Sequence, residues 1–122
     1  MTTISKALLA LEERFWAGDA EFYRRNLDDS CLLALARTTG VFNRDDVART
    51  VRNGHHWKDL DIKLKGVIEP VAGVAIITYQ ARAMHQTGEP YAAVVSSGYV
   101  KRDSGWRMTF HQQTPLETPD GA

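Results

Sequence analysis

Proton transfer near neutral pH needs a side chain that ionises there, and histidine does so without tuning. The chain has four, His55, His56, His85 and His111. His111 opens the run His-Gln-Gln-Thr-Pro and is the candidate general base. Alternation along an extended segment puts His111 and Gln113 on one face and Phe110 and Gln112 on the other. A bulge would decide which face looks inward. His55 and His56 are adjacent, just before Trp57, which suits either contact with a ligand at a pocket mouth or a solvated loop. No third ligand follows at a recognisable spacing, so no metal site is expected. His85 falls near a strand end and is expected to be half exposed. A carboxylate buried in an apolar interior is the other route to a base, because lost hydration raises its pKa. The inward faces of strands are where such an acid is sought. Residues 74–84 and 91–100 carry none, Asp61 sits on a polar strand face, and Glu69, Glu89 and Asp103 fall in turns or loops. That pattern weighs against acid–base isomerisation by a strand carboxylate. The single cysteine, Cys31, lies in an apolar run and reads as a buried inert thiol.

Aromatic side chains argue for a pocket more than for chemistry. Trp16, Tyr23, Trp57, Tyr79 and Tyr99 are spread over helices, a loop and strands. Small-ligand pockets are mostly apolar with a few placed polar groups. Tyr23, Tyr79 and Ser97 supply hydroxyls. The alternative for each aromatic is a core position with its polar atom satisfied, and Trp106 is assigned to the core.

The elements that must position these residues follow from periodicity. Ile4, Ala7, Leu8, Leu11, Phe15 and Trp16 recur at helical steps, with Ser5, Lys6, Glu12, Glu13 and Arg14 expected on the solvent side. Gly18 stops this helix and Asp19 caps a short second one, from Ala20 to about Leu27. Asp28-Asp29-Ser30 punctuates the chain. Cys31 to Ala36 suits a strand by length, or a buried helical turn, and Thr38-Thr39-Gly40 a turn. A third helix opens at Asn43 or Arg44, with Asp45 and Asp46 where the dipole favours acids, and ends at Asn53-Gly54. Leu60, Ile62 and Leu64 alternate as a half-buried strand, and Gly66 marks a bulge where the apolar parity shifts. Residues 74–85 form a long strand whose odd positions are the more apolar, and 91–102 another. Asp103-Ser104-Gly105 is a hairpin loop, and Trp106 to about Gln113 the last strand. Helices followed by hairpin-linked strands predict an α+β domain with an antiparallel sheet packed on helices. Strands this long must coil, which leaves a concave mouth.

Composition narrows the classes. With 122 residues the chain makes one domain, expected over 1–115 with a frayed tail at 116–122. Fifteen basic and fifteen acidic residues give no net charge, and the basic ones are scattered, so no nucleic-acid partner is expected. No segment nears the roughly 20 apolar residues of a membrane span. No signal peptide is recognisable at the start, and a cytoplasmic location is expected.

The opening helix with Gly18-Asp19 and Phe22-Tyr23, the helix from Asp45 to Val51, Trp57, and the ending from Gly105 to Pro115 together resemble the nuclear-transport-factor-2-like proteins of the SnoaL-like cone fold. The Gly-Trp hairpin and the His-Gln-Gln-Thr-Pro close are similar to a bacterial branch whose members mostly have no assigned function. The resemblance implies N-terminal helices packed in the concave face of a strongly curved, mainly antiparallel sheet. It also implies a homodimer through the outer sheet face, to which Val74, Ile76, Val94 and Val100 lend apolar character. Proton-moving enzymes of that superfamily place an Asp, Glu or His inside the cone, and the fold also serves modules with no catalysis. Three functions fit. The first is a pocket for a small apolar or aromatic molecule, lined by Tyr23, Trp57, Tyr79 and Ser97, with His111 and Gln113 as polar contacts and no cofactor. The second is an isomerase or cyclase using His111 as base and a tyrosine as donor to a developing oxyanion. The third is a dimerisation module whose cone is closed by Trp57 and Phe15.

Overall fold

The structure is a computed structural model, and it describes residues 2–35, 40–50 and 57–116. Helix α1 (Thr3–Ala17) starts where the Thr2 hydroxyl accepts the Ser5 N–H at 3.0 Å. Helix α2 (Ala20–Asn26) starts where the Asp19 carboxylate accepts the Phe22 N–H at 3.0 Å. Each cap answers an N–H that the first helical turn leaves without a partner. Strands β1 (Leu27–Ala34) and β2 (Val41–Phe42) precede helix α3 (Arg44–Thr50). Asn43 and Asp46 cap α3 reciprocally, each side chain accepting the other's backbone N–H. Strands β3 (Trp57–Val71), β4 (Val74–His85), β5 (Pro90–Arg102) and β6 (Gly105–Pro115) complete the chain.

The six strands form one sheet in the order β2-β1-β6-β5-β4-β3. All pairings are antiparallel except β1 with β6. The helices lie on its concave face, as an α+β cone requires. The odd positions of β4 point inward: Ala75, Ile77, Tyr79, Ala81 and Ala83 are all buried. The alanines leave the space that α1 fills with Leu8, Phe15 and Trp16. In β3 the register shifts between Leu64 and Gly66, at the expected bulge.

Two boundaries differ from the sequence reading. Helix α2 ends at Asn26, and Asp28-Asp29-Ser30 belongs to β1 rather than marking a break before it. Leu27 is fully buried, and the Asp28 carboxylate takes both Arg102 Nε and Nη2 at 2.8 and 3.0 Å. Those two anchors draw the chain alongside β6 a few residues early. The Arg102 bonds hold the Asp28 carboxyl below its usual range. Cys31 lies in this strand, buried, and burial raises its thiol pKa. The expected end of α3 at Asn53-Gly54 lies outside the described residues, as does the turn at 38–39 and the tail from 117 onward. Leu116 donates its N–H to Ala92 O at 2.9 Å.

The corner between α1 and α2 is tight. A Cβ on Gly18 would sit 2.8 Å from Phe22 Cδ2 and 2.9 Å from the Arg14 carbonyl oxygen. Gly18→Ala should therefore cost about 1–3 kcal/mol, measured by thermal or urea unfolding. An unchanged midpoint would mean that the corner opens freely.

Candidate functional site

The polar centre of the cone is Glu12. It was expected on the solvent side of the first helix and is instead 0% exposed. The reason is geometric. Ser5, Leu8, Glu12, Phe15 and Trp16 are the buried residues of α1, and steps of three and four place them on one line. The stripe that meets the sheet is thus rotated from the one that hydrophobicity alone picks out.

Strands answer the acid with hydroxyls. Tyr79 of β4 donates to Glu12 Oε1 at 2.6 Å, Ser97 of β5 donates to the same oxygen at 3.0 Å, and Tyr99 of β5 donates to Oε2. Burial raises the Glu12 pKa, and the three hydroxyl bonds oppose that rise. Burial and the nearby Glu12 charge raise the pKa of Tyr23, Tyr79 and Tyr99, which stay neutral donors.

A bulge brings His111 into this network. Gly98 pairs with Phe110 but Tyr99 pairs with Met108, so Thr109 is an extra residue in β6. Met108 and His111 both turn inward as a result, and Phe110 turns outward. His111 Nδ1 lies 2.8 Å from Ser97 Oγ, and His111 Nε2 lies 3.1 Å from Gln113 Nε2. Tyr91 donates to Gln113 Oε1 at 2.6 Å. These bonds fix the tautomer. The one hydroxyl hydrogen of Ser97 goes to Glu12, so Ser97 accepts from His111 Nδ1–H. The Gln113 amide then donates to the Nε2 lone pair. Burial pushes the His111 pKa down to about 4, so the ring is neutral at neutral pH. On the other side Trp16 Nε1 donates to the Tyr79 oxygen at 2.9 Å. Both chains of donors, Tyr91–Gln113–His111–Ser97 and Trp16–Tyr79, run toward Glu12.

Of the residues singled out from sequence, Tyr79, Ser97, His111 and Gln113 thus meet in one hydrogen-bonded cluster. Tyr23 stands beside it and donates to the Phe15 carbonyl at 2.7 Å. Trp57 lies apart, in an aromatic group with its ring 4.1 Å from His85, 5.0 Å from Tyr91 and 5.3 Å from Trp16. His55 and His56 lie outside the described residues. Sequence reasoning missed Glu12, Tyr91 and the link through Trp16. Its search for a buried acid was confined to strands. The signal for Glu12 was its place four residues after Leu8 and three before Phe15.

Chemically the cluster differs from a nucleophilic triad. The serine stands between acid and imidazole, so the imidazole does not take its proton. Among the described residues no group of three or more His, Cys, Asp or Glu is placed to hold a metal ion. No helix among them is long and apolar enough to cross a membrane.

No family model matches the chain, and no curated protein does. Solved structures match closely in shape. The association domain of CaMKII from C. elegans superposes with a TM-score of 0.69 at 15% identity, covering 91% of this chain and 92% of that one. A ketosteroid isomerase-like protein from Erwinia carotovora atroseptica gives 0.73 at 18% identity, covering 94% and 95%. A domain of unknown function with a cystatin-like fold from Nostoc punctiforme gives 0.74 at 15% identity, covering 97% and 81%. The fold is the nuclear-transport-factor-2-like, cystatin-like cone that the sequence resembles.

The buried pair Glu12 and His111 gives stability two opposed pH dependences. The unfolded chain protonates His111 near 6.5 and the folded chain only near 4, so its contribution is full above 6.5 and is lost as pH falls toward 4. That difference corresponds to about 3 kcal/mol. Glu12 acts with the other sign: its folded pKa is raised, so its contribution is present below the ordinary value of 4.5 and is lost as pH rises through the raised one. Urea unfolding of the wild type and His111→Gln across pH 4–7 separates them. The stability advantage of the wild type should shrink as pH falls through that window. A constant difference would mean that His111 is not buried neutral.

Proposed function

We propose that this chain is a self-association module, a homodimer joined through the outer face of its sheet, working in the cytoplasm. One observation carries the reading. Leu32, Phe110, Gly98, Ile76 and Ile68 are successive partners across β1, β6, β5, β4 and β3, and so form one row on the convex face. The four side chains of that row are 60%, 41%, 38% and 58% exposed in the order Leu32, Phe110, Ile76, Ile68. Thr78, Ser96 and Gln112 flank the row with uncharged polar groups, and exposed Val94 lies one row further on. A contiguous apolar patch of this kind marks an interaction surface. Further along β3 and β4 a cavity of about 300 Å³ is lined by Asp61, Lys63, Gln80 and Arg82. Charges of both signs beyond the polar flank of an apolar row suit a second copy, since an isologous contact must be self-complementary. The similarity to an association domain supports the same direction. The hydrogen-bonded interior supports a module rather than an enzyme, because as a base His111 would first have to release a bond at one ring nitrogen.

A second reading has its own observation. Trp16, Trp57 and Tyr91 gather with His85, whose buried Nε2 finds no hydrogen-bond partner among the described residues. An aromatic group with a spare polar atom suits a small apolar or aromatic molecule. Trp57 and Tyr23 would then line its apolar side, and Tyr79, Ser97, His111 and Gln113 its polar floor.

Mass measurement in solution tests the first reading. The wild type should show twice the mass of one chain at micromolar concentration, and Phe110→Glu should show one. A single-chain mass for the wild type would end it. Thermal unfolding against a panel of aromatic metabolites tests the second. A bound molecule at 100 times its dissociation constant stabilises the fold by about 2.7 kcal/mol, and a flat response across the panel counts against it.

A further inference from the structure

A fully buried carboxylate met by three hydroxyl donors and by no cation among the described residues is an unusual core. The donors are not arranged around Glu12 by Glu12 alone. The Tyr79 oxygen is held by Trp16 Nε1–H at 2.9 Å, which leaves its own O–H to point into the cone. The Ser97 oxygen is held by His111 Nδ1–H at 2.8 Å, which does the same for the serine. His111 is held in turn by Gln113, and Gln113 by Tyr91. The acid comes from α1, whereas all three donors stand on β4 and β5. Two hydroxyls fixed by their own second partners, joined by that of Tyr99 and aimed at one point, make a preorganised anion site.

We propose that Tyr79, Tyr99 and Ser97 form a receptor for a small monocarboxylate, and that the chain's own Glu12 occupies it as a resident ligand delivered by α1. The three donors stand on the sheet and Trp16 of α1 orients one of them, so with α1 in place the site takes a free carboxylate when position 12 does not supply one. This holds whether or not the outer face pairs with a second copy. It also accounts for the direction of both donor chains, since each ends on the carboxylate.

Glu12→Ala deletes one methylene and the carboxylate, which together are the size of acetate. The test is thermal unfolding of Glu12→Ala, Glu12→Gln and the wild type in rising sodium acetate, with sodium chloride and acetamide at matched concentrations. Acetate should raise the midpoint of Glu12→Ala saturably, by about 5 °C at ten times its dissociation constant. Chloride and acetamide should not, and the wild type and Glu12→Gln, whose sites are filled, should not respond. Adding Ser97→Ala to Glu12→Ala should weaken the acetate response several-fold. A response equal in Glu12→Ala and the wild type, or none in Glu12→Ala, overturns the proposal. If Glu12→Ala is unfolded in plain buffer, the same titration reads the refolded fraction. Recovery with acetate and not with chloride supports the receptor, and no recovery overturns it. The mass of each sample, read in parallel, reports on association separately.

Discussion

A carboxyl group with no cation beside it can be placed in a protein interior only where hydrogen-bond donors replace the water it loses. Glu12 imposes that condition on this cone. Tyr79, Tyr99 and Ser97 must present hydroxyls to it, which fixes the inward parity of β4 and β5. Trp16 and His111 must complete the tyrosine and the serine, which fixes how α1 docks and where β6 turns inward. Core packing by Leu8, Ile77, Val95 and Met108 surrounds this polar thread and excludes solvent from it. The apolar contacts give the domain its cohesion, and the polar thread selects one arrangement among the many that cohesion alone would permit.

Much of the architecture was legible in the chain. Alternation over β4 and β5 and the caps at Asp19 and Asn43 follow from short-range rules, and short-range rules survive folding. The boundary at Leu27 was not legible, because the Asp28–Arg102 pair that sets it spans most of the sequence. Glu12 was hidden for a related reason. A hydrophobic stripe locates a helix face by its apolar members, and an acid within the stripe reads as the opposite face. Only partners on other strands reveal that the acid belongs inside. The residues Tyr79, Ser97, His111 and Gln113 were found one at a time as polar groups on strands, but the bonds that join them lie across the sheet and no spacing along the chain encodes them.

The sheet has two faces with different work. Inside, it carries hydroxyls and one imidazole. Outside, it carries Leu32, Phe110, Ile76 and Ile68 in a row. Neighbours in sequence serve opposite sides: Ser97 points in and Gly98 lies in the outer row, His111 points in and Phe110 points out. A Cβ on Gly98 would come 3.3 Å from Phe110 Cβ, so the glycine gives that ring its seat.

The extra residue at Thr109 sets the phase between these two faces. Before it in β6 the even position Met108 is interior, and after it the odd positions His111 and Gln113 are. A strand has no other means of exchanging its faces, since its side chains alternate without exception. Deleting Thr109 would leave Met108 opposite Tyr99 and Phe110 opposite Gly98 as direct neighbours, so the strand would alternate regularly with Phe110 still outward and His111 still inward. Keeping the length and flattening the bulge would do the opposite, turning the imidazole to solvent and a phenyl ring toward Glu12. The bulge therefore makes this a tolerant point in descent: one residue can come or go here while each face keeps its side chains.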